Sequence, residues 1–283
     1  MTRRRTASRL WPASPAPWCR RRPPARTPPR RRTRPGRQRP AERTETIRLN
    51  RFLALAGVAS RRRCDEIVRA GRVAVDGRPV RDPALAVDAE AARVTLDGRP
   101  LAPSRGETWL LNKPAGVLSA ASDARGGRTV IDLARAAGVK ARLYPVGRLD
   151  RDSRGLLLLS NEGELALRLT HPRYGVEKAY RARLDAPLDP AGERRFAAGL
   201  ELADGPTRPC RLRALPGRAR YAVVLAEGRK RQIRRMFECL GRTVLDLQRV
   251  RLGPLRLGDL PEGALRPLSA AERERLKRAA GLR

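Results

Sequence analysis

Residues 147–160, GRLDRDSRGLLLLS, set Asp150 between Arg148 and Arg151 and just ahead of four consecutive leucines. A run this apolar is buried, so the carboxylate stands at the edge of a core, among cations that favour its ionised form. An ionised carboxylate is a poor general acid and suits a nucleophile, a base or an electrostatic stabiliser. An ordinary turn aspartate paired with Arg148 or Arg154 fits the same spacing, and that reading stays open here.

A second group lies in RKRQIRRMFECLG, residues 229–241. Ile233, Met236, Phe237 and Leu240 fall on one helical face, and Gly241 stops the helix. Arg234 sits about 100° round from Ile233, at the edge of that face, where it could point along the core boundary toward a buried carboxylate. Arg231 and Arg235 turn outward. Tyr180 lies in an alternating segment among charged neighbours, and reads either as a core ring or as one that stacks on a base or bonds a sugar.

Other chemistries are poorly supported. His171 is the single histidine, which excludes catalysis by two histidines and reads as a structural residue at a helix end. Cys19, Cys64, Cys210 and Cys239 lie far apart with no C-x-x-C pair, which argues against zinc and against a disulfide framework, and for reduced thiols in the cytoplasm. No metal site is expected. No stretch of about 18 apolar residues suggests a membrane span.

These residues need elements to hold them. TWLLNKPAGVL (108–118) reads as a buried strand interrupted at Lys113-Pro114, and GLLLLS (155–160) as a central strand. Asn161 is placed to cap the next helix, with Glu164 in the capping-box position. EKAYRARL, RPCRLRAL, ARYAVVLAEG and TVLDLQRVRLG read as strands, and AAERERLKRAAG as a closing amphipathic helix. The class is therefore α+β over 107–283, with a mixed, largely antiparallel sheet.

Residues 46–103 form a smaller module. Leu49, Phe52, Leu53 and Ala56 recur at helical spacing up to Gly57; Ser60 is placed to cap a second helix that buries Cys64, Ile67 and Val68 and stops at Gly71. RVAVDGRPV and RVTLDGRPL are hairpin signals around Asp-Gly turns. Arg61, Arg62 and Arg63 then cluster at the start of the second helix, as a solvated face or a phosphate-binding patch. Residues 1–45, rich in arginine and proline, read as a disordered tail: an RNA-grasping arm, a transit segment or a dispensable extension. The whole chain of 283 residues has a formal charge of +34, which attracts polyanions, nucleic acid foremost.

RLNRFLALAGVASRR…AGRVAVDGRPV resembles the S4-type RNA-binding domain. LYPVGRLDRDSRGLLLLSNEGELALRLTHPRYGVEKAY resembles the central motif of the RsuA/RluB-type family of ribosomal RNA pseudouridine synthases. LNKPAGVLS upstream, and EGRKRQIRRMFECLG and RVRLGPLRLGDLPEG downstream, fit the same family in order, so the resemblance spans roughly residues 47–268. Ser153 stands where threonine is usual, and Glu162 where aspartate is. The resemblance implies that Asp150 is the nucleophile converting uridine to pseudouridine without a cofactor, on a base turned out of its helix. It implies that Tyr180 stacks on the uracil and that Arg234 pairs with Asp150. Arg148 joins Arg61, Arg62, Arg63, Lys113 and Arg231 as RNA-binding residues. The expected partner is ribosomal RNA, 23S before 16S, or a pre-ribosomal particle, met by a cytoplasmic monomer.

Two other functions are weighed against this one by the same residues. A non-catalytic ribosome-assembly factor would have no need of Asp150 or its arginine. A glycoside-type hydrolase needs a second, protonated carboxylate, and Asp152, hemmed in by arginines, is a weak candidate.

Overall fold

The computed structural model describes residues 46–282; the tail read at 1–45 lies outside the described residues. The first unit of structure opens with β1 (Thr46–Arg48), α1 (Leu49–Leu55) and α2 (Arg61–Arg69). Ser60 Oγ accepts the Arg63 amide at 3.3 Å, the expected cap. Then come β2 (Val73–Val75), β3 (Arg78–Val80), β4 (Ala86–Asp88), β5 (Val94–Leu96) and β6 (Arg99–Leu101). Both Asp-Gly pairs take positive φ, 50° and 79° at Asp76-Gly77 and 50° and 78° at Asp97-Gly98. That is the conformation a tight two-residue hairpin needs. Strands β2 and β5 pair at the centre of a four-stranded sheet, and Leu49, Phe52, Leu53, Cys64, Val68, Val73 and Val94 fill a core of their own.

The larger unit continues with β7 (Thr108–Lys113), α3 (Val130–Ala136), β8 (Tyr144–Val146), β9 (Arg154–Ser160), α4 (Gly163–Thr170), β10 (Lys178–Leu184) and α5 (Pro190–Ala198). A small hairpin of β11 (Glu201–Leu202) and β12 (Gly205–Pro206) leads to β13 (Arg211–Ala214), β14 (Arg220–Leu225), α6 (Gln232–Glu238), β15 (Val244–Leu252), β16 (Leu255–Arg256), β17 (Leu265–Pro267) and α7 (Ala270–Ala279). The main sheet runs β13-β14-β10-β15-β9-β7-β17, with β8 alongside β9 and β16 alongside β15. Every pairing is antiparallel except β9 with β15, a short parallel contact at Gln248↔Arg154 and Arg249↔Gly155.

The leucine run explains itself in this sheet. Leu156 and Leu158 point to one face, packed with Leu165, Leu169 and Leu276, while Leu157 and Leu159 point to the other with Ile131, Phe196 and Met236. All four are fully buried. A strand covered on both faces reads as a continuous apolar run rather than an alternating one. Gly155 starts that strand at φ 102°, and a Cβ there would lie 2.3 Å from the Arg249 carbonyl oxygen. Only glycine lets β9 and β15 approach so closely.

One expected cap is replaced. Glu162, not Asn161, is the residue preceding α4. Asn161 Oδ1 instead accepts the Glu107 amide at 2.7 Å, and its Nδ2 donates to the Arg105 carbonyl at 3.0 Å, tying the incoming strand to this corner. His171 does stand at a helix end: it closes α4 and its Nδ1 accepts the Arg173 amide at 3.2 Å.

Candidate active site

Asp150 lies in the loop from β8 to β9, directly ahead of the parallel junction. This loop is fastened from below by residues 113–119. Ser119 Oγ donates to the Leu149 carbonyl at 2.9 Å and lies 3.1 Å from the Leu149 amide, so it holds both backbone groups of the residue before Asp150. The Gly116 amide donates to the Arg151 carbonyl at 2.7 Å, and Arg151 Nε returns a bond to the Gly116 carbonyl at 3.1 Å. The Ser153 amide closes the turn on the Asp150 carbonyl at 3.1 Å.

Lys113 belongs to this fastening and corrects an expectation. Assigned by sequence to RNA, it has no exposed surface. Its ammonium donates to the Pro114, Arg151 and Ser153 carbonyls at 2.9, 3.3 and 2.7 Å, which uses all three of its donors. Burial pulls its pKa down to about 8, against the opposing pull of Asp152, Asp150 and Glu262. A buried cation with this partner set cannot reach a phosphate.

Arg234 is the second correction. It is buried, as its place at the edge of the helical face predicts, but it does not pair with Asp150. Its Nη1 donates to the Val244 carbonyl at 2.8 Å, and its Nη2 lies 3.2 Å from Asp152 Oδ2 and 3.3 Å from the Asp152 carbonyl. Arg231, exposed and in a left-handed conformation at φ 50°, places Nη1 at 3.2 Å from both Asp152 oxygens. Two arginines of the α6 segment therefore clamp Asp152, two residues from Asp150. Among the described residues Asp150 makes no ion pair, and its half-buried carboxylate faces open space.

That space is a cavity of about 140 Å³ whose wall includes Asp150, Tyr180, Lys178, Arg148, Arg231 and Arg249. A second cavity, about 490 Å³, adjoins it and shares Arg148 and Asp150, adding Ser119 and Lys230. Asp150 thus stands between a snug recess and a wider basic opening. Tyr180 is buried on β10 at a bulge against β15, opposite Arg249. The extra residue of the bulge is Val250 of β15, between Arg249 and Arg251, and the Tyr180 ring lines the recess. Arg148 is exposed at the mouth.

Arg61, Arg62 and Arg63 are exposed on α2, and none of them lines this recess. Arg61 Nη2 donates to Asn50 Oδ1 at 3.3 Å, and Arg63 pairs with Glu66. Sequence reasoning missed Ser119, Lys178 and Arg249. For Arg249 a signal was present: it shares strand parity with Leu247, which is buried.

Residues 107–239 match the RNA pseudouridylate synthase family, and residues 47–92 match the S4 domain. The chain is 37% identical over 241 residues to an uncharacterised RNA pseudouridine synthase of Aquifex aeolicus, covering 84% of this chain and 96% of that protein. It is 37% identical over 235 residues to the ribosomal large subunit pseudouridine synthase B of Bacillus subtilis, covering 81% and 95%. A solved pseudouridylate synthase superposes with a TM-score of 0.58 at 30% identity, over 81% of this chain and 99% of that one.

Proposed function

We propose that this chain, which belongs to the RNA pseudouridine synthase family, converts one uridine of 23S ribosomal RNA to pseudouridine with Asp150 as the nucleophile. The observation that carries the assignment of Asp150 is its placement. It is the carboxylate between the two cavities, on a loop fastened to a buried strand, and it has no ion-pair partner among the described residues.

In this reading the target nucleotide leaves its helix and enters the recess, at a cost of a few kcal/mol in lost stacking and pairing. Tyr180 supplies the face on which the uracil rests. Asp150 acts at the glycosidic carbon or assists the base's departure, and the freed uracil turns and rejoins the sugar through C5, displacing any bond to Asp150; the C5 hydrogen then leaves to solvent and N1 takes up a proton. Arg234 serves as a positioning residue, since it holds Asp152 and the loop backbone rather than the reacting atoms. Arg148 and Arg231 at the recess take the flanking RNA backbone. Residues 46–103, as an S4-type RNA-binding domain with Arg61, Arg62 and Arg63 in front, add sequence-independent affinity to a catalytic domain over 107–283.

The large-subunit choice rests on similarity to the Bacillus subtilis enzyme, whose name states that substrate. Incubating the protein with unmodified 16S and 23S transcripts and with immature subunits, then mapping pseudouridine by carbodiimide labelling and reverse transcription, tests both points. One new stop in 23S RNA is expected. A stop in 16S RNA overturns the substrate, and no stop on any RNA overturns the activity.

A further inference from the structure

The recess holds two cations with no role in the steps above. Arg249 is 3% exposed; its Nε donates to the Leu156 carbonyl at 2.7 Å, and its buried Nη2 has no hydrogen-bond partner. Lys178 is half-buried in the same wall, and the only hydrogen bond of its ammonium among the described residues is a long one, 3.3 Å to the Val176 carbonyl. Neither forms an ion pair among the described residues.

Placing two like charges together in a desolvated recess is unfavourable, and leaving a buried guanidinium nitrogen without a partner costs about 1–3 kcal/mol or more. Both costs fall away if the recess receives an acceptor that bears negative charge. Strand geometry aims the pair at one place. Lys178 and Tyr180 are two residues apart on β10, so they share a face, and Arg249 lies directly opposite Tyr180 on β15.

We infer that Lys178 and Arg249 form the cradle for the charge on the detached uracil, donating to its carbonyl oxygens as the glycosidic bond breaks. This rests on the proposed isomerase reading. When the C1′–N1 bond breaks, its electron pair leaves with the base, and the charge spreads over N1 and the two carbonyl oxygens. The cations only donate hydrogen bonds to those oxygens and transfer no proton; the electron-deficient C1′ is taken by an Asp150 oxygen, whose bond to carbon forms as C1′–N1 breaks. The charge is largest in the detached state, so these donors act there more than on the intact nucleoside. The same bonds keep the free uracil in the recess while it turns to present C5.

The groups facing Lys178 are Arg249 from β15, Glu227 from the segment after β14, and Asp150, Arg148, Arg229 and Arg231 in the cavity wall. Burial first, and Arg249 second, pull its pKa down to about 8, with Glu227 opposing. The ammonium is therefore the main form at neutral pH, and it is lost as pH rises through that value.

Tritium release from ribosomal RNA carrying [5-³H]uridine, measured with the full chain, tests the inference. Lys178→Met is expected to lower kcat by roughly 10²-fold, in the range of one lost oxyanion donor, while RNA affinity by filter binding stays within about twofold. Lys178→Arg should recover part of the loss, and it should abolish the fall in rate expected of the wild type above pH 8. A purely structural role would not move that pH profile. Wild-type kcat in Lys178→Met, or a deficit confined to RNA affinity, overturns the cradle while leaving the isomerase reading intact. No release by the wild type on any ribosomal RNA overturns both.

Discussion

Arg234 reaches Asp152 rather than Asp150, with Nη2 3.2 Å from Asp152 Oδ2 and 3.3 Å from its backbone carbonyl. The arginine that a simple motif reading would place on the nucleophile instead holds the loop two residues downstream. Its action on Asp150 is then geometric. Arg234→Met should lower kcat about 10²-fold, because a displacement of about 1 Å at the reacting group costs on that order. Asp152→Asn keeps an oxygen for the clamp and should cost about tenfold. The two changes break one interaction, so kinetics of the double variant should show a loss well short of the product of the single losses.

Lys113 makes stability depend on pH. Its folded pKa lies near 8 and below its ordinary value, so above pH 8 the unfolded chain binds more protons than the folded one. Stability therefore rises with pH through a window from about 8 to about 10.5, the ordinary value for a lysine ammonium. Lys113→Met removes that contribution and leaves three carbonyls without their donor. Thermal melts at several pH values should show the variant less stable than the wild type at pH 7. The gap between them should widen as pH rises through the window.

Gly155 tests the junction of β9 and β15. A methyl group there meets the Arg249 backbone at 2.3 Å, in a conformation that side chains rarely adopt. Gly155→Ala should destabilise the protein by about 2–4 kcal/mol, the sum of a strained φ and forced separation of the strands. Chemical denaturation checks this, with a lowered midpoint and an unchanged slope expected.

The three arginines of α2 act on affinity and not on chemistry. Replacing Arg61, Arg62 and Arg63 by alanine should weaken RNA binding at low salt. It should also reduce the salt slope by roughly one for each phosphate no longer neutralised. The turnover rate at saturating RNA should hold. Filter binding across a salt series, alongside single-turnover kinetics, separates the two effects.

What could be read from the residues alone follows from what each signal encodes. Four leucines in a row specify a strand buried on both faces, and all four are fully buried. Asp-Gly pairs specify hairpins because few other pairs tolerate two positive φ values, and both hairpins form. Helical periodicity gives the azimuth of Arg234 correctly. It cannot give its partner, because that depends on how α6 docks across a loop 82 residues away in sequence. Lys113 resembles one more surface cation in a basic chain; its burial comes from carbonyls contributed by residues 114, 151 and 153. Helix α3 escaped sequence reasoning although Thr129 and Asp132 form a capping box at its start, a local signal that was there to be found.

The central claim is that Asp150 is the nucleophile, and single-turnover tritium release with Asp150→Asn and Asp150→Ala addresses it most directly. Both variants should bind ribosomal RNA as the wild type does and release no tritium above background, since neither side chain can attack or assist at the glycosidic carbon. Release by either variant within tenfold of the wild-type rate would contradict that claim and move the chemistry to another residue of the recess.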